Sequence, residues 1–588
     1  MKKLLTITSI FFAFNSFGQN FYFPKENYKD SITLGKYMPV LAKQVIAVYK
    51  EENRKIDFED LCDLQIVAEQ YEEANISLDS FRRFTKLHSS DTVSIKAMSF
   101  GDQSFVLTKL RQAKNHISFT DAYTFTFNTL FNAFPPQAIP VAESGIDNEY
   151  AFLKGEHDNL YKLLNSQKGK DSISFDDAKK LCLAYSWYNV DSQITPLTKP
   201  LFAAWENKRF IIEDSVLIKT RDGATISAVV VRKRGLVVKQ PAIFIFNIYI
   251  SPVDKNKARY WADNGYVGVV VNTRGKGLSP QDIEPFEHDA NDAYDIIDWI
   301  SKQAWSNGKV GMVGGSYLGF DQWAAVKKVH PALKTIIPQV AVGPGIDYPM
   351  LNNVFMSYML RWIHYVTNSK NTDEDDFNNE EHWDSTFKKW YVSGKSFRSL
   401  DTIEGRPNKI FQRRLMHPGY DAYWQSMVPY KTDFSKINIP VLTITGYYDG
   451  DQSGAIYYFK QHYLYNKNAD HYLVIGPYDH YGPQSEAPSS KLMGYTIDSV
   501  ANINLYDLVD QWFNYVLKDS TRPALLKDKI NYEVMGANEW KHVPALSKMN
   551  NDTLNFYLSN VRVAQHYKLN TLPSSTLEFI RQEVDFKD

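Results

Sequence analysis

Cysteine is almost absent: Cys62 and Cys182 are the only two in 588 residues. Neither stands in a metal-ligand spacing, so no structural zinc or iron–sulfur centre organises this chain. A disulfide between them and a pair of buried free thiols are both left open. Excess charge is missing too. Lys and Arg total 66 against 67 Asp and Glu, a net charge of -1, which offers no polyanion-binding surface and excludes nucleic acid as the expected partner. Past the first eighteen residues no run approaches the ~20 apolar residues of a membrane span. Thirteen histidines are scattered without a ligand pattern, so no metal is expected. Nothing in the sequence calls for a cofactor.

The chain is globular in composition, with 44% hydrophobic, 23% charged and 14% aromatic residues. Its length predicts three to four domains at about 150 residues each. The first residues read as an export signal over 1–18. Lys2 and Lys3 supply the positive region, Leu4 to Phe17 the apolar one, and Ser16-Phe17-Gly18 a small-x-small cleavage site. The expected mature protein starts near Gln19 and is periplasmic or secreted.

From 19 to about 205 the pattern is helical. LGKYMPVLAKQVIAVYK and FEDLCDLQIVAEQYEEA carry apolar residues three and four apart. No residues there are grouped as a catalytic or metal site needs, which predicts an accessory helical domain. From Arg209 the period changes. FIIEDSVLIKTRDGATISAVVVRK alternates around Arg221-Asp222-Gly223, a hairpin pattern. Continuous apolar runs separated by helical segments follow: AIFIFN (242–247), VGVVVN (267–272), VGMVG (310–314), TIIPQVAV (335–342), PVLTITG (440–446) and YLVIG (472–476). Runs apolar on both faces that alternate with helices predict a parallel sheet covered on both sides. Active sites in such folds lie at the carboxyl ends of the strands.

Three of those ends carry chemistry. Ser316 follows VGMVGG and precedes a helical stretch, so it sits at a strand–turn–helix junction with small residues around it. Asp449 follows the fifth run in GYYDGD, and His480 follows the sixth in GPYDHYG. A serine hydroxyl needs a base to become a nucleophile, and an imidazole with an ordinary pKa near ~6.5 can serve as base and then as acid. A carboxylate on the other ring nitrogen fixes the tautomer. The chain order Ser, Asp, His is the order used by α/β-hydrolases. Each residue alone has a structural alternative: Asp449 or Asp451 as loop caps, His480 as a solvated turn residue. Their joint placement favours catalysis.

These residues resemble a known family. WSNGKVGMVGGSYLG (305–319), with Leu318 two places after the serine and glycine only at 319, is similar to the nucleophile region of the cocaine esterase and X-prolyl dipeptidyl-peptidase group (CocE/NonD hydrolases, peptidase family S15). GYYD (446–449) and GPYDH (476–480) resemble its acid and histidine motifs. NTRGKGLS (272–279) resembles D-x-R-G-x-G-x-S, with Asn272 in place of Asp, and FNIYISP (246–252) resembles a T-P-Y segment. The resemblance implies an α/β-hydrolase core with Ser316 as nucleophile, Asp449 as orienting acid and His480 as base. It further implies an oxyanion hole made by the backbone N–H of Tyr317 and the hydroxyl of Tyr249. Residues 346–435 would be the helical cap, whose aromatic residues either line the pocket or simply pack.

The expected domains are thus a helical unit (19–205), a hydrolase core (206–345 and 436–520), the cap, and a C-terminal β domain (521–588). That last domain resembles the start of the family's jelly roll, and its INYEVMG, LNFYLSN and LEFIRQEVDF are too few strands for a complete one. A truncated or reduced domain is expected. Three functions compete: hydrolysis of esters or acyl amides, release of Xaa-Pro dipeptides, and a non-catalytic binding role on a hydrolase scaffold, against which the intact Ser, Asp and His set speaks. The substrate would be a small ester or amide or a peptide. A carboxylate could hold an α-ammonium group of amino-acid esters or peptides, and Asp347 is the nearest candidate, with a helix cap as its alternative. A homo-oligomer is compatible with the sequence.

Overall fold

The alternation after Arg209 folds into a hairpin, β1 (Phe210–Lys219) and β2 (Thr225–Lys233), paired antiparallel around Arg221-Asp222-Gly223. The six apolar runs become β3 (Gln240–Asn247), β4 (Val267–Asn272), β5 (Ser306–Gly315), β6 (Leu333–Gln339), β7 (Val441–Gly446) and β8 (His471–Gly476). Two further strands, β9 (Ile530–Val534) and β10 (Glu539–Val543), complete one ten-stranded sheet in the order 1-2-4-3-5-6-7-8-9-10. Strands β3 to β9 run parallel, and β2 and β10 run against them. This is the α/β-hydrolase arrangement. The computed structural model describes residues 20–23, 31–51, 57–88, 95–251, 254–485, 488–573, 579–581 and 583. The export signal expected over 1–18 lies outside the described residues.

Side chains alternate between two cores, as the strand period of two requires. Phe244 and Phe246 of β3 face one core and Ile243 and Ile245 the other. The sheet-unit helices are α1 (Asp254–Asp263), α2 (Asp289–Lys302), α3 (Tyr317–Val326), α4 (Tyr358–Thr367), α5 (Gln452–Tyr465) and α6 (Leu505–Lys518). Residues of α2 and α3 and of the helices between β6 and β7 fill the first core; α1 and α6 fill the second.

The eight helices from Ser31 to Arg209 add a further layer on the second face. Some pack among themselves around Leu41, Leu64 and Leu181. Others continue the second core directly: Phe131, Trp205 and Phe210 belong to the same cluster as Tyr260 and Trp261 of α1. A buried ion cluster fixes the join. Arg259 of α1, 2% exposed, donates to Glu143 at 2.5 Å and to Glu206 at 2.6 Å, both carboxylates coming from the helical layer. The layer is therefore built into the hydrolase core instead of standing apart from it.

One expectation needs correction. INYEVMG was assigned to a separate C-terminal β domain, but Ile530–Val534 pairs parallel with β8 and is buried along most of its length. Helix α6 just before it makes the crossover that parallel pairing needs. Outside the main sheet, Tyr557–Val563 and His566–Asn570 form a two-stranded ribbon, and most of LEFIRQEVDF lies outside the described residues. The acidic run Asp373 to Glu381 lies within 346–435. It forms two helix starts, Glu374–Phe377 and Glu380–Ser393, capped by the side chains of Asp373 and Asn379. Carboxylates in a first helical turn face the positive end of the helix dipole. Cys62 and Cys182 are buried and unpaired. No helix among the described residues is long and apolar enough to cross a membrane.

Candidate active site

Strands β3 and β5 are neighbours although β4 lies between them in sequence, so a crevice opens at their carboxyl ends. Ser316 stands on one side of it and Tyr249 on the other. Ser316 has φ 60° and ψ -121°, a conformation that costs a non-glycine residue about 1–3 kcal/mol and persists only where neighbours enforce it. They do so here. Its N–H donates to the Gln339 carbonyl at 3.0 Å, and its own carbonyl accepts from the N–H groups of Gly319 and Phe320 at 2.9 and 3.0 Å. The unusual spacing of the glycines has a packing reason. A Cβ on Gly314 would sit 2.6 Å from Cβ of Leu318, and one on Gly319 would sit 2.8 Å from Cα of Ala341. Glycine is needed at 319 because there the helix presses on the backbone after β6.

The turn leaves the first N–H of α3, that of Tyr317, without an intrahelical acceptor, and no acceptor elsewhere takes it. The Tyr317 side chain points away from the crevice. Its hydroxyl donates to Asp289 at 3.1 Å and accepts from Phe286 N–H at 2.8 Å. Only the backbone of Tyr317 is thus available at the site.

Tyr249 is held by two residues that the sequence reading passed over. The Asn247 side chain clamps its backbone: Oδ1 accepts the Tyr249 N–H and Nδ2 donates to the Tyr249 carbonyl, each at 2.9 Å. Trp362 of α4 donates its indole N–H to the Tyr249 hydroxyl at 3.0 Å. The same hydroxyl interacts with the Ser316 side chain, and burial pushes its pKa well above the ordinary tyrosine value, so it stays protonated. A polar Asn ending the apolar run AIFIFN was the available signal for the clamp.

At the neighbouring strand ends, His480 Nδ1 donates to Asp449 Oδ1 at 2.8 Å. The other Asp449 oxygen accepts from the Thr445 hydroxyl at 2.9 Å. Asp451 lies 3.5 Å from the same ring nitrogen. Burial alone would depress the His480 pKa and is the largest single influence. The Asp449 hydrogen bond and the charges of Asp451 and Asp449 outweigh it and raise the pKa above the usual histidine value. Burial raises the Asp451 carboxyl to about 7, against the opposing pull of His480. Asp449, Asp451 and His480 offer ligand atoms within 4.8 Å of one another, but both Asp449 oxygens are already engaged. No hydrogen bond joins His480 to Ser316.

Asp347 is 3% exposed; burial pushes its carboxyl well above the usual range, and the charges of Asp451 and Asp449 push the same way. One oxygen accepts the Gly343 N–H at 2.7 Å and the other accepts the N–H of Gly454, in the first turn of α5. The NTRGKG segment is structural in its contacts. Arg274 pairs with Asp222 and Asp292, and buried Lys276 donates to the carbonyls of Val366, in the last turn of α4, and of Ser369 and Asn371 just after it. It ties the cap to the strand ends.

Fold and site together define an α/β-hydrolase, with Ser316 at a strained strand–turn–helix junction beside the Tyr249 hydroxyl. Residues 189–482 match the X-Pro dipeptidyl-peptidase (S15 family), and the chain belongs to that family. It is 24% identical over 357 residues to cocaine esterase of Rhodococcus sp. (strain MB1 Bresler), an alignment covering 56% of this chain and 59% of that protein. The chain thus spans about three-fifths of that relative's length. Among solved structures it is similar to an α-amino acid ester hydrolase (22% identity, TM-score 0.49, 63% of this chain and 64% of that one). It is also similar to a CocE/NonD family hydrolase from Staphylococcus aureus (20% identity, TM-score 0.43, 60% and 59%).

Proposed function

We propose that this protein is an exported serine hydrolase that cleaves ester or amide bonds through an acyl-enzyme. The observation that carries the reading is the strained Ser316 elbow, with the Tyr249 hydroxyl and the Tyr317 N–H beside it and a half-buried His480 bonded to buried Asp449 at the neighbouring strand ends. In this mechanism Ser316 Oγ attacks the carbonyl carbon and its proton passes to His480 Nε2. Tyr249 and Tyr317 N–H take the developing oxyanion, and Asp449 steadies the imidazolium through Nδ1. Collapse breaks the bond to the leaving group, which leaves with the proton from His480. Water, deprotonated by the same ring, then releases the acid. Before substrate binds, the Ser316 hydroxyl is engaged with Tyr249; catalytic hydrogen bonds often close only in the substrate complex. Export rests on the pattern of residues 1–18.

Asp347 is assigned a structural role, because both its oxygens are taken up by backbone amides. The family name makes Xaa-Pro dipeptide release the alternative reading. A rate comparison on the full chain separates the two, using a short acyl ester, an α-amino acid ester and an Ala-Pro anilide with Ser316→Ala as blank. Turnover of the acyl ester that is lost in the variant supports the serine esterase. Turnover confined to the anilide assigns a dipeptidyl-peptidase, and equal rates with the blank remove the nucleophile assignment.

A further inference from the structure

The helical layer does more than support the sheet. A cavity of about 530 Å³ lies on the second face of the sheet, at the carboxyl ends of β3 and β5, within the range typical of small-molecule sites. Ser316 and Tyr249 line it, and so do Trp261 of α1 and Val509 of α6. Gln137 and Pro140, from the helical layer, complete the wall. That layer is locked to α1 by the Arg259–Glu143–Glu206 cluster, with Lys255 bound to both carboxylates.

Two features say what would fill this space. First, Ser316 lines the cavity and His480 does not. In acyl transfer the leaving group must sit beside the histidine that protonates it, whereas the acyl group stays on the serine. A space that touches the serine but not the histidine suits the acyl group. Second, Asn256 of α1 lines the cavity and is 7% exposed, and among the described residues its side-chain Oδ1 has no hydrogen-bond partner. Buried polar groups are nearly always paired, and an orphan asks for a partner. It stands beside the apolar Ile245, Val313 and Trp261, and Gln137, Lys257 and Gln484 are further polar groups in the same wall.

We propose that this cavity is the acyl subsite: it takes a medium-length acyl group with an apolar body and one hydrogen-bonding group that pairs with Asn256, and the helical layer sets its size. This rests on the reading of Ser316 as nucleophile. It assigns the N-terminal third of the chain a part in substrate selection.

The test uses the full chain and p-nitrophenyl esters. The wild type is expected to favour octanoate over acetate in kcat/KM by at least about tenfold, since each well-buried methylene contributes to discrimination. Pro140→Trp, which narrows the cavity from the helical layer, is expected to reduce that ratio by about tenfold or more. In a set of chains as long as octanoate with one amide at successive positions, at least one should exceed octanoate, and Asn256→Leu should abolish its advantage. Because a variant can misfold, Ser316 labelling by a fluorophosphonate is followed throughout. In the wild type, labelling by an octyl fluorophosphonate should outpace an ethyl one. Labelled Ser316 with no chain-length preference, or with a preference that neither variant moves, overturns the acyl subsite alone. Absence of labelling at Ser316 in the wild type overturns the nucleophile reading and the subsite with it.

Discussion

Tyr249→Phe removes one hydroxyl and almost no volume, so it isolates the oxyanion argument. The site has two donors, the Tyr249 hydroxyl and the Tyr317 N–H. Losing one preorganised donor of this kind costs about 10²–10³-fold in kcat, or ~2.7–4 kcal/mol, with little change in KM. The Trp362 contact sharpens the prediction. Its indole N–H donates to the Tyr249 oxygen, which leaves the single hydroxyl proton free to point at the substrate. Trp362→Phe keeps an aromatic ring against Tyr317 and Phe286 but loses that orientation. A hydrogen bond worth about 1 kcal/mol corresponds to roughly a fivefold loss of rate. The two residues act through one proton, so their effects should not add: in the Tyr249→Phe background, Trp362→Phe should lower kcat no further. Steady-state kinetics on the four proteins with a p-nitrophenyl ester completes the cycle. A Tyr249→Phe rate within threefold of wild type would refute the donor role. An undiminished Trp362 effect in the double variant would place Trp362 outside the oxyanion hole.

Asp451→Asn should lower the midpoint of the acid limb of the kcat/KM pH profile, because Asp451 helps to hold the His480 pKa up and the limb reports the free imidazole; an unmoved limb contradicts the placement of that charge. Stability should decline as pH falls below about 6.5. His462 and His471 are buried against each other with pKa values lowered by burial from 6.5. The unfolded chain then binds more protons, and the stability present above 6.5 is lost on acidification. Denaturant titrations from pH 7.5 to 5.5 measure this, and Thr in place of both histidines should flatten the slope. Arg259→Met should destabilise the protein by about 1–3 kcal/mol, since it leaves two buried carboxylates with only Lys255 as partner; an unmoved urea midpoint would mean the layer is not locked to the core as described.

The parallel sheet was legible because its strands are apolar on both faces, as in AIFIFN and VGVVVN, and the strand ends could be read without knowing their spatial order. What escaped the reading was set by contacts between distant segments. Ile530–Val534 was placed in a separate β domain, and its Asn531 and Glu533, which alternate with apolar residues, give no sign that both side chains are buried in the main sheet. The helical layer looked separate because its own periodicity is complete; Glu143 and Glu206 carry no local mark of their shared partner 116 and 53 residues away. At the site, Ser316, Asp449 and His480 stood out through their neighbours in sequence. Trp362 is 113 residues from Tyr249, and no periodicity announces such a contact. For Asp347 the sequence left a substrate carboxylate and a helix cap both open, and a contact that bears on the choice, the Gly454 N–H, comes from 107 residues away.

The central claim is that Ser316 is the nucleophile, and active-site labelling addresses it most directly. The protein is treated with a fluorophosphonate and digested, and the modified residue is located by mass spectrometry. A single adduct on the Val310–Lys327 region at Ser316, absent from Ser316→Ala, is the predicted result. An adduct on any other serine, or none on the folded protein, would contradict it.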